Sequence, residues 1–325
     1  MLRKLRRRAL LAAGPALLAA PRRGSAQEEA FPSRPIRFIV PWTPGGPSDA
    51  TARALAVAAG RVLGTTIVIE NRPGVAGTLG PSSMAQGSRP DGYTICQMPI
   101  NVFRYPVLAR ASYDPVNDFT WIIRTGGYTF NMGVRADAPW RTLAELTAQA
   151  KREPGRISFA SNGIGGTPHL IMARIAAHDG TELLHVPFRG WAESMNALLS
   201  GQVQLMSDSG PWQPLVEDGR VRLLATWGER RSRLAPEVPT LKELGYDIAS
   251  NSPYGIAGPR GMDPHITRRL HDAFHAALDD RDYKLLIERL DQVPAYLGSE
   301  DYRAYAERTA REERELIERL GLRQG

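Results

Sequence analysis

Sulfur chemistry is nearly absent from this chain. Its one cysteine, Cys96, lies in the apolar run Tyr93-Thr94-Ile95-Cys96. No intramolecular disulfide can form, and a buried small hydrophobe is the expectation. Long hydrophobic runs are also missing, and nothing after the first residues is long enough to span a bilayer. The chain has no G-x-x-x-x-G-K-[ST] phosphate loop, no dinucleotide fingerprint, no H-E-x-x-H zinc motif and no G-x-S-x-G elbow. Those absences remove the ready-made sites of an NTPase, a dehydrogenase, a zinc protease and a serine hydrolase. His271 and His275 share a helix face at i, i+4, but without the zinc motif they read as a surface pair.

An excess of positive charge is missing too, once its location is considered. The chain holds 41 Lys and Arg against 34 Asp and Glu, but seven of the basic residues and no acidic one fall in residues 1–26, leaving 41 − 7 = 34 of each. A footprint for nucleic acid or an anionic membrane is therefore not expected. The first residues instead have the layout of a secretory leader. Arg3, Lys4, Arg6, Arg7 and Arg8 form a basic region, Ala9 to Ala20 an apolar one, and Gly24-Ser25-Ala26 a small-residue cleavage site. Export to the periplasm is expected, by the general secretory or the twin-arginine route, the latter suggested by Arg7-Arg8-Ala9-Leu10-Leu11.

Two loops carry the chemistry that is present. In Arg34 to Asp49, the apolar run Ile36 to Val40 predicts a buried strand. Pro41, Pro44 and Pro47 stiffen the turn that follows, and Gly45 and Gly46 let a ligand approach the backbone. Ser48 or Asp49 is positioned to cap the next helix, and a side chain at Gly46 is expected to intrude on the loop. Ser161 to His169 repeats the design, with Thr167-Pro168 as expected N-cap and first-turn proline. Each loop presents main-chain N–H groups at a helix N-terminus, a natural anion site.

The order of elements predicts an α/β fold. Strand and helix alternate from Ile36 to Met98, which implies a parallel sheet. A second alternating series runs from Asn131 to Trp227, with a capping box at Thr142-Leu143-Ala144-Glu145. A helical tail follows from Asp263. The connectors Thr125–Thr129 and Asn251–Gly255 separate these parts. If the tail returns to the first series, the chain crosses twice between two lobes. The expected division is a leader at 1–26, a first lobe of 31–128 with 254–325, and a second lobe of 129–253.

The ordered motifs resemble the substrate-binding proteins of the tripartite tricarboxylate transporter family, also called the Bug family. They are Pro32-Ser33-Arg34-Pro35-Ile36, Pro44-Gly45-Gly46-Pro47-Ser48-Asp49, Glu70-Asn71-Arg72-Pro73-Gly74 and Pro90-Asp91-Gly92-Tyr93-Thr94. Asp118-Phe119-Thr120, Gly166-Thr167-Pro168-His169-Leu170, His185-Val186-Pro187-Phe188-Arg189-Gly190, Gly201-Gln202-Val203-Gln204, Pro236-Glu237-Val238-Pro239-Thr240 and Tyr254-Gly255 follow. The resemblance implies a two-lobed periplasmic binding protein fold of type II, with a two-strand hinge and the ligand cleft between the lobes. It implies capture of a small organic anion, mainly by main-chain N–H groups and ordered waters, and delivery to membrane permease subunits. No cofactor and no catalysis are implied, and a monomer is expected. A sensing subunit for a membrane receptor, or a secreted hydrolase or isomerase using His169 and Asp208, are the alternatives.

Carried onto this sequence, the pattern gives Trp42, Thr43, Gly45, Gly46 and Ser48 in the first loop, with Asn101 and Tyr128 at nearby strand ends. In the second loop it gives Ser161, Asn162, Gly166, Thr167 and His169, followed by Phe188 and Arg189, then Asp208. Asp208 would accept from an amino or hydroxyl group of the ligand, or else cap the helix near Trp212. Arg189 would add a charge-assisted bond to a carboxylate, or else face solvent. Trp42-Thr43 and Met98 to Arg104 depart from the family pattern at strand ends, where ligand identity is decided.

Overall fold

Ile36 to Val40 forms the strand expected of its β-branched run. In the computed structural model, which describes residues 31–322, it is β1. The leader read from residues 1–26 lies outside the described residues. The chain continues through α1 (Pro47–Leu63), β2 (Ile67–Asn71), a 3-10 turn (Val75–Gly77), α2 (Leu79–Gly87), β3 (Thr94–Pro99), α3 (Asn101–Leu108) and β4 (Phe119–Gly127). Next come β5 (Asn131–Arg135), α4 (Leu143–Arg152), β6 (Ser158–Ser161), α5 (Thr167–Asp179), β7 (Leu184–Pro187), α6 (Trp191–Leu199), β8 (Leu205–Asp208), α7 (Gln213–Glu217) and β9 (Val221–Thr226). The last part is β10 (Pro253–Pro259), α8 (Pro264–Ala277), α9 (Arg281–Arg289), β11 (Val293–Leu297) and α10 (Ser299–Arg319).

Two sheets result. The first has the order β11-β4-β10-β3-β1-β2 and the second β7-β6-β8-β5-β9. The parallel sheets expected from the alternation are only partly present. β2, β1 and β3 run parallel, as do β7, β6 and β8. β10 is antiparallel to both β3 and β4, and β5 is antiparallel to both β8 and β9. The reason is topological. β4 carries the chain out toward the second sheet and β10 brings it back, so the two must run in opposite senses.

The residues read as connectors partly belong to these two strands. Pro253 pairs with Gly127 and Tyr254 with Gly126. The Gly126-Gly127 pair hid the strand end, since glycine signals a turn more often than an interior strand. Helix α3 escaped sequence reading because Pro106 lies inside it. β11 is short and half exposed.

Each sheet has its own apolar core. Phe38, Leu55, Ile95 and Phe274 belong to the first, and Met132, Leu146, Phe159 and Trp227 to the second. A smaller cluster of Val107, Leu108, Leu170 and Ile317 joins α3 and α10 beside the first sheet to α5 beside the second. Thr142 caps α4 as its half of the expected capping box: its Oγ1 accepts from Glu145 N–H at 3.2 Å, while Glu145 Oε2 accepts from the N–H of Arg141, one residue before the cap, at 2.6 Å. Among the described residues no helix is long and apolar enough to cross a membrane. Cys96 is buried in the first-sheet half, as its apolar setting predicted.

Candidate ligand-binding site

Helices α1 and α5 start without side-chain caps. Gly46 is the N-cap of α1 and Gly166 that of α5, both extended in backbone, and neither makes a side-chain cap bond. This corrects the expected capping by Ser48, Asp49 and Thr167. Proline follows early in both helices, so the remaining first-turn N–H groups are the polarised, unsatisfied donors of each N-terminus. A Cβ at Gly46 would meet only Thr43 O at 3.8 Å, so a first side-chain atom there crowds nothing in the protein itself.

The side chains expected to cap have other work. Asp49 Oδ2 accepts from Gly45 N–H at 3.0 Å and from Arg53 Nε at 2.9 Å, and its Oδ1 accepts from Asn71 Nδ2 at 2.9 Å. Burial tends to raise the Asp49 carboxyl, but the bonds from Arg53, Gly45 and Asn71 outweigh it and hold it below the usual range. Asn71 Nδ2 also donates to Trp42 O at 3.0 Å, so Asp49 and Asn71 together brace the loop. Ser48 Oγ donates to Gln97 Oε1, Gln97 Nε2 to Tyr128 Oη at 3.4 Å, and Tyr128 Oη to Ser48 Oγ at 2.9 Å. The hydroxyl hydrogens of Ser48 and Tyr128 are thus held within a closed ring, and toward a ligand these groups offer only lone pairs.

A second chain of bonds crosses between the two halves. Arg104, on α3, grips Glu313 of α10 through Nε to Oε2 at 2.7 Å and Nη2 to Oε1 at 2.8 Å. Its Nη1 donates to Thr167 Oγ1, at the first position of α5, at 2.7 Å. Arginine can only donate, so Thr167 accepts there and donates onward to Ser252 Oγ at 3.0 Å. The Ser252 hydrogen is left for whatever occupies the cleft.

These groups surround one cavity. Of the fifteen residues named from the sequence, Trp42, Thr43, Gly46, Ser48, Asn101, Tyr128, Asn162, Thr167 and Asp208 line it. Pro47 of the first loop, Pro99 of the Met98 to Arg104 stretch and Gly190 of the Pro187-Phe188-Arg189-Gly190 turn line it too. Phe130, Trp191, Ser209 and Ser252 also line it, and sequence reading did not name them as site residues. Ser252 was within reach, as part of the second connector. Arg104 carried a signal as the one charge in the Met98 to Arg104 departure from the family pattern.

The other expected residues lie outside the lining. Gly45 is exposed and Gly166 sits behind Asn162. Ser161 is turned to His185, Oγ to Nε2 at 2.6 Å. His169 lines a separate hollow with His185, the two rings stacked at 4.2 Å, and its Nδ1 accepts from Gly165 N–H at 3.1 Å. Burial lowers both imidazoles, His185 to about 4 with help from its neighbour. The pair braces the second loop from behind, and the alternative of a hydrolase uniting His169 with Asp208 has no shared cavity. Phe188 packs on the α6–β8 core, and Arg189 is exposed. His271 and His275 stack at 5.7 Å beside Tyr296, and among the described residues no group of three metal-capable side chains gathers.

Asp208 ends β8 and does not cap α7. Trp212 is the N-cap residue of that helix, and its indole Nε1 donates to the Asp208 backbone oxygen at 3.0 Å. Burial pushes the Asp208 carboxyl from 3.8 up to about 7, against bonds from the Ser209 and Gly210 N–H groups and the Ser209 side chain. An acid whose folded pKa is raised binds more protons folded than unfolded between those values, so its contribution to stability falls as pH rises from about 4 to 7. Asp208→Asn removes that penalty. The unliganded variant should gain on the native protein across this window, by at most ~4 kcal/mol for about three pH units. Denaturant unfolding at a series of pH values checks this; a constant difference between the two proteins would contradict it.

Two sheets linked by two crossing strands, with a cleft of helix N-termini between them, define a periplasmic binding protein. The tripartite tricarboxylate transporter family receptor model matches residues 51–322, and the chain belongs to that family. It is 43% identical over 316 residues to a Cupriavidus necator protein encoded in the gbd 5' region, covering 97% of this chain and 96% of that one. It is 30% identical over 259 residues to Protein BugT of Bordetella pertussis, covering 78% and 79%. Among solved structures, the periplasmic binding protein BugD superposes with a TM-score of 0.86 at 29% identity, covering 91% of this chain and 100% of that one. A protein of R. palustris, Rpa4515, solved with adipate, superposes with a TM-score of 0.83 at 26% identity, covering 90% and 98%. The family is one of solute receptors rather than enzymes.

Proposed function

We infer that this protein captures a small organic carboxylate in the periplasm and hands it to the permease subunits of a tripartite tricarboxylate-type transporter. One observation carries the reading. The uncapped N-termini of α1 and α5, from opposite sheets, face a single cavity whose described lining contains no Lys or Arg. Main-chain donors and two helix dipoles then supply the positive potential. Adipate in the R. palustris relative is a carboxylate of the expected kind. Residues 31–128 with 254–325 act as one lobe and 129–253 as the other, and a ligand touching both favours closure. The working form is a monomer, exported by its leader through the general secretory or twin-arginine route. The fifteen residues expected from the sequence contribute unequally: those lining the cavity contact the ligand, while Ser161, Gly166 and His169 hold the second loop in shape.

Thermal melting against a panel of organic acids, adipate included, with the matching amides as uncharged controls, tests the reading. A ligand that binds only the folded state at about 100 times its Kd adds about 2.7 kcal/mol and raises Tm. Shifts with acids and none with amides are expected. Equal shifts with both, or none with any, would remove the anion reading.

A further inference from the structure

The second loop is held by a ring nitrogen that can accept a bond only while it carries no proton. His169 Nδ1 accepts from Gly165 N–H at 3.1 Å. That bond fixes the tautomer, with the hydrogen of the neutral ring on Nε2. A proton added at Nδ1 would leave two donors facing each other, and the bond would be lost. The neighbouring ring differs. His185 Nε2 meets Ser161 Oγ at 2.6 Å, and a hydroxyl can donate to a bare nitrogen or accept from a protonated one. Of the two stacked rings, only His169 ties its proton to the shape of the loop.

Gly165 is where that shape matters. It lies between Asn162 and Thr167, which line the cavity, and directly before Gly166, the N-cap of α5. A Cβ on Gly165 would overlap Leu108 of α3, and a Cβ on Gly163 would lie 3.2 Å from Ala76 Cβ. The loop therefore meets the first-sheet half with its bare backbone, and a turned Gly165 peptide disturbs both that contact and the start of α5.

Little around His169 favours a charged ring. His169 and His185 share a hollow with Phe159, Met172 and Leu183, and Glu182, exposed at its rim, is the only carboxyl in the described lining. Strands β6 and β7 and helix α5 bring no acid to it. Along α5, Arg174 is turned to Asp247 O at 2.9 Å and His178 to Asp179. A second positive charge would sit 4.2 Å away in the stacked ring. Burial holds both rings toward the neutral form.

We propose that His169 is a positioning residue whose proton competes with the ligand: the second loop is shaped for binding only while Nδ1 is bare, and acid releases the carboxylate. The inference rests on the carboxylate reading above. Binding favours the unprotonated ring, so affinity is full above the ring's pKa and falls below it, with a limiting slope of about tenfold per pH unit. Burial lowers that ring, which puts the fall below its ordinary 6.5.

Two measurements test this. In the unliganded protein with isotope-labelled histidine and glycine, the Gly165 amide resonance should titrate together with the His169 ring. His169→Asn should abolish that titration, because Asn Oδ1 stands where Nδ1 does relative to Cβ and accepts without gaining a proton. Calorimetry with adipate and the other acids of the melting panel then compares about pH 7.5 with about pH 4.5, on either side of an ordinary imidazole. At the higher pH His169→Ala should bind about fivefold more weakly than the native protein, and His169→Asn should recover most of that loss. At the lower pH the native Kd should rise at least about fivefold more than that of His169→Asn. Asp208 and the acid's own carboxyls titrate in both proteins, so the difference between them isolates His169. A Gly165 amide indifferent to the His169 proton, or parallel pH profiles for the native protein and His169→Asn, would overturn the proposal while sparing the carboxylate reading. A panel in which no acid binds would remove the carboxylate reading, and the release with it.

Discussion

Arg104→Met is expected to cost about 3–5 kcal/mol of stability, because it leaves the Glu313 carboxylate buried and without its partner. The pair is bidentate, and the two residues are 4% and 8% exposed. For a chain of this size Tm should fall by about 10 °C. The loss has a second component. Arg104 Nη1 is the first-sheet donor to Thr167, so the variant also cuts the bond that ties α3 to the start of α5. Combining Arg104→Met with Glu313→Leu separates the two effects. Stability should largely return, since apolar replacements of a buried ion pair are often neutral. The tie to Thr167 should not return, and the unliganded double variant should be more open in solution scattering. A single variant that melts with the native protein would show that the pair contributes little. A double variant as closed as the native protein would show that Thr167 does not need it.

Gly165→Val is expected to lower ligand affinity by about 100-fold, from backbone strain and overpacking of a few kcal/mol together. Gly165 has a φ of +77°, which a β-branched residue resists. A Cβ there would overlap Leu108 of α3, which belongs to the other half of the molecule. The side chain therefore acts as a wedge where the second loop meets the first half. Gly190 is a parallel case with ordinary dihedrals: its Cβ would lie 2.5 Å from Thr43 Oγ1. Gly190→Ala should therefore weaken binding less than Gly165→Val, because it adds crowding without strain. Calorimetry with any acid found to bind gives the ranking. Native affinity in Gly165→Val would mean that the two loops need not approach this closely for binding.

The two loops were legible because their causes are local. A β-branched run followed by Pro and Gly ends a strand wherever it occurs. Proline in the first turn of a helix leaves the same donors unsatisfied in any fold. The family pattern added the cleft and named most residues around it. Reading each polar side chain near a helix start as its cap failed at Ser48, Asp49 and Thr167. Those side chains had partners distant in sequence: Gln97 and Tyr128, Asn71, and Arg104 with Ser252. A local rule cannot weigh a competitor that only folding brings near.

By itself, then, the sequence determined the alternation of strands and helices, the two anion-facing turns, the family and the class of ligand-capturing fold, since each depends on neighbours within a few residues or on an ordered set of motifs. Tertiary structure alone decided the antiparallel return of β10 between β3 and β4, the retreat of His169 behind its loop, and the bond path from Glu313 through Arg104 and Thr167 to Ser252. It also decided that Asp208 Oδ2 is buried with no partner beside the ligand's space. Hydrogen-bond direction and burial are properties of what surrounds a group, and here those surroundings come from segments up to 209 residues apart.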